Sequence, residues 1–409
     1  MNNIYVNPIT GLEVYHKVTK QGLNLYVAES ISNYHIFKMI VKYGSSNKKY
    51  RNIDNNIIDI LPGTAHLIEH LTFNAIEKNN TEHLLEYFKR MCVYTNAYTA
   101  LDSTVYILED SKSLMTEECI SKFIKNILNP RYTSNYIERE LKIIEAEAIT
   151  YNRQLASVTK LYSNLLKKLG LEKNAIGDVQ ELASLKPLDL YKLHDIKYTP
   201  KNTSLVYYIA PAKDKKQYIK ILEDMEKMYF KNLPKKIEIY NDFDSNIDTI
   251  DYSSKEETTN EIRWLKIYKN EKNTSKLEIV INILKNILLD SLEMEKTPEK
   301  NGKLSIFPKK INNMYINTIV ASKYENEEEA KKDIEYIKNL EITEQMLLEG
   351  KRSLLKLYIN VFDYQVDSIQ VFEDEGNVFD RLNILKDITL EELVKLKDEI
   401  LTLEDYIKI

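Results

Sequence analysis

At 409 residues the chain exceeds what one hydrophobic core ordinarily organises, so two domains, or two halves of one larger particle, are expected. Hydrophobic residues at 43% and charged residues at 29% are those of a globular protein and exclude a mainly disordered one. Lys and Arg number 57 against 62 Asp and Glu, a net charge of -5 with the signs interspersed, which speaks against nucleic acid as the main partner.

Cys92 and Cys119 match neither a thiolate metal spacing nor a disulfide framework, so a reducing compartment, the cytoplasm, is the expected setting. The segment from Met1 to Pro8 has no basic region followed by an apolar run. No later stretch approaches about eighteen uninterrupted apolar residues, so membrane insertion is not expected.

In chain order, residues 12–28 alternate around Gly22-Leu23 as a hairpin, and Ile36 to Tyr43 reads as a third strand ending at Gly44. A polar stretch from Ser45 to Asn56 leads to a helix announced by Pro62-Gly63, with Thr64 as its expected N-cap. Thr81 to Arg90 reads as a short helix, and Cys92 to Leu108 as two strands joined around Ala100 to Ser103. A helix from Met115 stops at Asn129-Pro130, and another runs from Thr133-Ser134-Asn135 to about Arg153. This alternation is an α/β order.

Beyond Pro187 and Pro200 come an apolar strand, Ser204 to Ala210, and an amphipathic helix ending near Tyr229. The chain then turns polar, which places a domain at 1–232, a charged linker at 233–260 and a second domain at 261–409. Strands at Ile262 to Tyr268 and Met314 to Ser322 fall among helices at Ser275–Leu292, Glu325–Leu340, Thr343–Val361 and Thr389–Leu401. The order loosely echoes the first half, as a duplicated unit would.

Chemistry concentrates in His66-Leu67-Ile68-Glu69-His70. Residues four apart on a helix share a face, so His66 and His70 can offer two imidazoles to one metal ion with Glu69 beside them. Zinc accepts such nitrogens and carboxylate oxygens, and a catalytic site leaves one position open for water. His-x-x-Glu-His arises by chance in roughly one chain in a hundred of this composition, so its context has to decide.

A third ligand must come from elsewhere, and the helix over 135–153 carries Glu138, Glu140, Glu145 and Glu147. Glu140 and Glu147, seven apart, align beside the apolar stripe of Ile137, Leu141, Ile144 and Ala148, while Glu138 and Glu145 point the opposite way. Carboxylates at the border of a buried stripe call for a positive partner, although an ordinary solvated acidic face is the bland alternative.

Around these residues the chain resembles the pitrilysin or insulinase-type metallopeptidases, the inverted zincins of family M16. Gly63, Ala65, His66, Glu69, His70 and Phe73 match the family's Gly-x-Ala-His-x-x-Glu-His-x-x-Phe. Asn96-Ala97-Tyr98-Thr99, with Asp102, Thr104 and Tyr106, resembles its Asn-Ala-x-Thr strand. Glu138-Arg139-Glu140 through Ile143-Ile144 to Glu147 resembles the segment holding the third zinc ligand and an accessory glutamate seven residues earlier.

The resemblance covers about residues 20–210 and implies an α+β sandwich duplicated as two tandem halves, each a mainly antiparallel sheet packed with helices. It implies a half-length, processing-peptidase-like member that dimerises and hydrolyses small peptides or unfolded segments. Its Zn2+ ligands are then His66, His70 and Glu147, its general base Glu69 and its accessory residue Glu140. Substrate would add as a strand along Thr95, Asn96, Ala97, Tyr98 and Thr99.

The family's substrate-gripping Arg and Tyr, in a segment like Arg-Gly-Leu-Ala-Tyr, are both missing from Glu299 to Phe307. A heterodimer whose homologous partner supplies them is therefore favoured over a homodimer. The rival function is a non-catalytic peptide-binding or assembly subunit. His16, His35 and His194 lack partners at ligand spacing, His83 reads as a surface or packed histidine on a short amphipathic helix, Trp264 reads as core, and the 29 tyrosines read as composition and core.

Overall fold

The computed structural model describes residues 2–6, 11–30, 34–51, 56–73, 84–100, 103–111, 115–154, 176–210, 215–233, 261–269, 274–295, 302–311, 314–360 and 378–408. These group into two compact units, one from the described residues up to 233 and one from residue 261 on. Apart from Leu233, the expected linker lies outside the described residues, as does His83.

In the first unit the strands are β1 (Asn2–Val6), β2 (Glu13–Val18), β3 (Asn24–Glu29), β4 (Tyr34–Val41), β5 (Lys49–Arg51), β6 (Ile57–Asp59), β7 (Tyr94–Thr99), β8 (Thr104–Ser111) and β9 (Thr203–Ile209). Seven of them form one sheet in the order β1-β2-β3-β9-β4-β8-β7, while β5 and β6 pair separately. Every neighbouring pair in that sheet is antiparallel except β3 with β9. β9 is buried along its whole length and β4 from its second residue on, which explains why both are apolar on either parity.

The helices of this unit are α1 (Thr64–Phe73), α2 (Leu84–Arg90), α3 (Glu117–Leu128), α4 (Ser134–Gln154), α5 (Val179–Leu182), α6 (Pro187–Lys197) and α7 (Lys216–Met225). One face of the sheet, read at alternate residues, supplies Leu25 and Val27, Phe37 and Met39, Tyr106 and Leu108, and Leu205 and Tyr207 to a single core. Leu67, Ile68 and Leu71 of α1 and Ile120, Phe123 and Ile124 of α3 enter the same core. Each such side chain contributes about 1.5–3 kcal/mol by leaving water, so the polar face of α1 is held in place by its apolar one.

The second unit has β10 (Glu261–Lys269), β11 (Lys303–Ile311), β12 (Met314–Ser322) and β13 (Ile407–Lys408), antiparallel in the order β11-β12-β10-β13. Its helices are α8 (Thr274–Glu295), α9 (Glu327–Asn339), α10 (Glu344–Asn360), α11 (Val378–Asp387) and α12 (Leu390–Leu401). The order repeats β7-β8-β4-β9 of the first unit in direction as well as sequence, with α8 in the place of α1 and α9–α10 in the place of α3–α4.

The repetition extends to single hydrogen bonds. His194 of α6 is buried and donates Nε2–H to the Ile127 carbonyl in the last turn of α3, at 2.9 Å. Lys397, buried in α12, donates to the Leu340 carbonyl at the end of α9, at 2.7 Å. In both units a buried base satisfies a carbonyl that the helix end leaves without an intrahelical partner. The two halves are structurally similar, as expected, and Trp264 is buried core in the second.

Candidate metal centre and catalytic base

The helix that carries the motif begins at a tight crossing of two chain segments. Gly63 has φ 85°, and a Cβ on it would lie 2.2 Å from the Ile176 carbonyl oxygen; Gly177 meets Pro62 in the same way at 2.0 Å. Only glycine fits at either position. Thr64 is thus the first helical residue and not the N-cap: its hydroxyl donates to the Leu61 carbonyl at 2.6 Å, while the Gly63 carbonyl accepts from Leu67 N–H at 2.9 Å.

With Leu67, Ile68 and Leu71 turned into the core, His66 and His70 share the face that α4 crosses. α4 brings up Glu140 and Glu147, two turns apart. His66 Nε2 lies 3.1 Å from His70 Nε2, and Glu147 Oε2 lies 3.7 Å and 3.5 Å from the two nitrogens. Glu138 and Glu145 are exposed, as the helical phase predicts.

Three electron-pair donors so close together repel unless a positive charge lies between them. A tetrahedral ion with zinc–nitrogen bonds of about 2.0–2.1 Å spaces its ligands roughly 3.3–3.4 Å apart, close to the observed triangle. Among the described residues this trio is the only group of three that could hold a metal ion. The imidazoles are 13% and 11% exposed and Glu147 46%, so the triangle is walled on the histidine side and open on the carboxylate side.

The two imidazoles are shifted in opposite directions. Burial, helped by the neighbouring His70, pushes His66 down to about 3, so it stays neutral. Burial also works against a charge on His70, but the Glu140 hydrogen bond and the charges of Glu69 and Glu147 outweigh it and raise its pKa. His70 Nδ1 faces Glu140 Oε2 at 3.4 Å, which leaves Nε2 to point at His66 and Glu147. Glu140 is fully buried, yet His70 and the Arg139 guanidinium, 3.0 Å from its other oxygen, hold its carboxyl below the usual range.

Glu69 lies beside the triangle, its Oε2 3.9 Å from His66 Nε2. Burial lifts its pKa to about 7 against the opposing pull of His70 and of a hydrogen bond from Thr99. A carboxylate poised near neutrality can take up and release a proton under ordinary conditions.

Thr95 to Thr99 lie in β7, an edge of the large sheet packed against α1. Their side chains are spent within the protein in three cases. Thr95 donates to the Ile107 carbonyl at 3.1 Å, Asn96 accepts from Ala97 N–H at 2.9 Å, and Thr99 donates to Glu69 Oε2 at 2.9 Å. What the strand offers a peptide is chiefly its backbone edge. The Thr99 and Arg139 contacts had no signal in sequence, because a strand-end threonine is unremarkable and adjacent helical residues normally diverge.

Residues 58–178, which contain His66, Glu69, His70, Glu140 and Glu147, match the Insulinase family, peptidase family M16. Over that segment the chain is similar to family M16. Among proteins similar to it, the mitochondrial-processing peptidase subunit beta of Neurospora crassa is 24% identical over 229 residues, which is 55% of this chain and 44% of the relative. The match thus spans under half of that relative's length.

Two solved structures share its fold along nearly the whole chain. An M16-like protein from Alicyclobacillus acidocaldarius superposes with a TM-score of 0.71 at 18% identity, covering 99% of this chain and 98% of the other. A peptidase M16 inactive domain from Pseudomonas fluorescens gives 0.66 at 12% identity, covering 97% and 96%. At such identities the likeness concerns the fold alone.

Proposed function

We propose that this chain is a zinc metalloendopeptidase of the M16 type that cleaves small peptides or unfolded segments and works as the catalytic subunit of a dimer. The observation that carries this reading is the meeting of His66, His70 and Glu147 at 3.1–3.7 Å, beside a buried Glu69. A zinc ion held by these three would supply a Lewis acid that acidifies water and polarises the scissile carbonyl. Glu69 would take the proton from the attacking water and pass it to the leaving amine, and Glu140 would orient His70 through Nδ1. The backbone edge of β7 would align the peptide as an added strand.

A homologous partner that completes the substrate grip is part of the proposal, with a heterodimer favoured over a homodimer. Two facts support it: residues 299–307 contain neither Arg nor Tyr, and the Neurospora relative is by name a subunit. Peptide maturation is the narrower form of the same reading. A reducing, cytoplasmic setting rests on Cys92 and Cys119, both free thiols, and no helix among the described residues is long and apolar enough to cross a membrane.

The second reading, a peptide-binding or assembly subunit without turnover, is favoured by the inactive Pseudomonas domain with the same fold. The retention of His66, Glu69 and His70 of the motif argues for activity. A quenched-peptide assay on the zinc-loaded chain, alone and with a homologous partner, separates the two. Hydrolysis abolished by a chelator supports the peptidase; peptide binding with no turnover in either preparation supports the assembly subunit.

A further inference from the structure

We infer that the Thr99 hydroxyl is a positioning device for Glu69, coupling the edge strand that would receive a peptide to the general base. The inference rests on the peptidase reading for its catalytic meaning and on geometry for the contact itself.

Thr99 is the last residue of β7 and pairs directly with Thr104, the first of β8. A threonine hydroxyl has one proton to donate. Thr104 spends its own on the Tyr43 carbonyl at 2.8 Å. Thr99 has Glu69 Oε2 at 2.9 Å and Thr104 Oγ1 at 3.5 Å, so its proton goes to the carboxylate. The branched Cβ permits few rotamers, and Thr104 stands against the hydroxyl from the neighbouring strand. The donor is held in position before any substrate arrives.

The contact ties one oxygen of Glu69 to the strand whose backbone would carry the peptide. A peptide added to β7 would thus be registered to the same framework that sets the carboxylate. Loss of the hydroxyl should leave peptide affinity largely intact while letting the base drift, so the effect belongs in kcat and not in KM. Thr99 is a positioning residue in this account because its side chain acts through Glu69.

The test compares zinc-loaded wild type with Thr99→Val, which removes the hydroxyl at nearly constant shape, and Thr99→Ser, which keeps it. Expected are a kcat roughly 10–100-fold lower in Thr99→Val with KM within about threefold, unchanged zinc content, and substantial recovery in Thr99→Ser. High-resolution crystal structures form the second arm: the Glu69 carboxylate should shift in Thr99→Val and stay in place in Thr99→Ser. A Glu69 that stays put in Thr99→Val, or a loss that serine does not restore, overturns the inference. If no preparation hydrolyses peptide, the peptidase reading fails, and the crystallographic arm still decides whether Thr99 sets the position of Glu69.

Discussion

His70 is held between Glu140 and Glu147, two carboxylates of a single helix, with Nδ1 3.4 Å from the first and Nε2 3.5 Å from the second. The arrangement assigns different tasks to two residues of the same kind. On the proposed reading Glu147, on the open side, would be a ligand, and Glu140, fully buried, would fix the ring. Replacing Glu140 by Gln should weaken zinc affinity by roughly 10–100-fold without abolishing binding at saturating metal. Replacing Glu147 by Gln should cost more, because it removes a ligand. Chelator competition on both variants measures the difference; wild-type affinity in Glu147→Gln would move the third ligand elsewhere.

Gly63 predicts a structural consequence at the head of the same helix. An added methyl group there meets the Ile176 carbonyl at 2.2 Å on a backbone with positive φ. Gly63→Ala should therefore destabilise the first unit by about 2–5 kcal/mol, the sum of backbone strain and overpacking. Thermal unfolding measures it, and zinc affinity should fall with it since His66 lies one turn away. An unchanged melting temperature would show that the 176–177 segment yields freely.

The pH dependence of stability should carry the mark of His194. Burial pushes its pKa down to about 4 from 6.5, against a smaller opposite effect of the Ile127 hydrogen bond. The folded state refuses a proton that the unfolded chain accepts, so stability present above pH 6.5 is lost as pH falls through about 4. The shift is worth about 3 kcal/mol. Urea midpoints of wild type and His194→Gln should converge as the pH is lowered from 7 to 4, because the variant has no proton to take up. Parallel profiles would remove His194 from the acid response.

Much of this architecture was readable from sequence where local and tertiary demands agree. The α4 helix phase paired Glu140 with Glu147 on one side, and the apolar runs of β4 and β9 marked strands. What escaped depends on partners far along the chain. β1 is a five-residue strand defined by its pairing with β2. β11 contains Pro308, which argues against a strand interior; it is tolerated because β11 is an edge of its sheet. The helix α6 was not read from the sequence, although Pro187 occupies its first position, where its missing N–H costs nothing. His194 lacked a partner at ligand spacing, and its role is instead to close the end of α3.

The most direct test of the account is turnover of a quenched peptide by zinc-loaded wild type and Glu69→Gln, in the presence of any partner the enzyme requires. Wild type should hydrolyse it and lose the activity to a chelator, while Glu69→Gln binds zinc with the same stoichiometry and is slower by roughly two to four orders of magnitude. Undiminished hydrolysis by zinc-loaded Glu69→Gln would contradict the assignment of Glu69 as the base, and with it the mechanism proposed for this site.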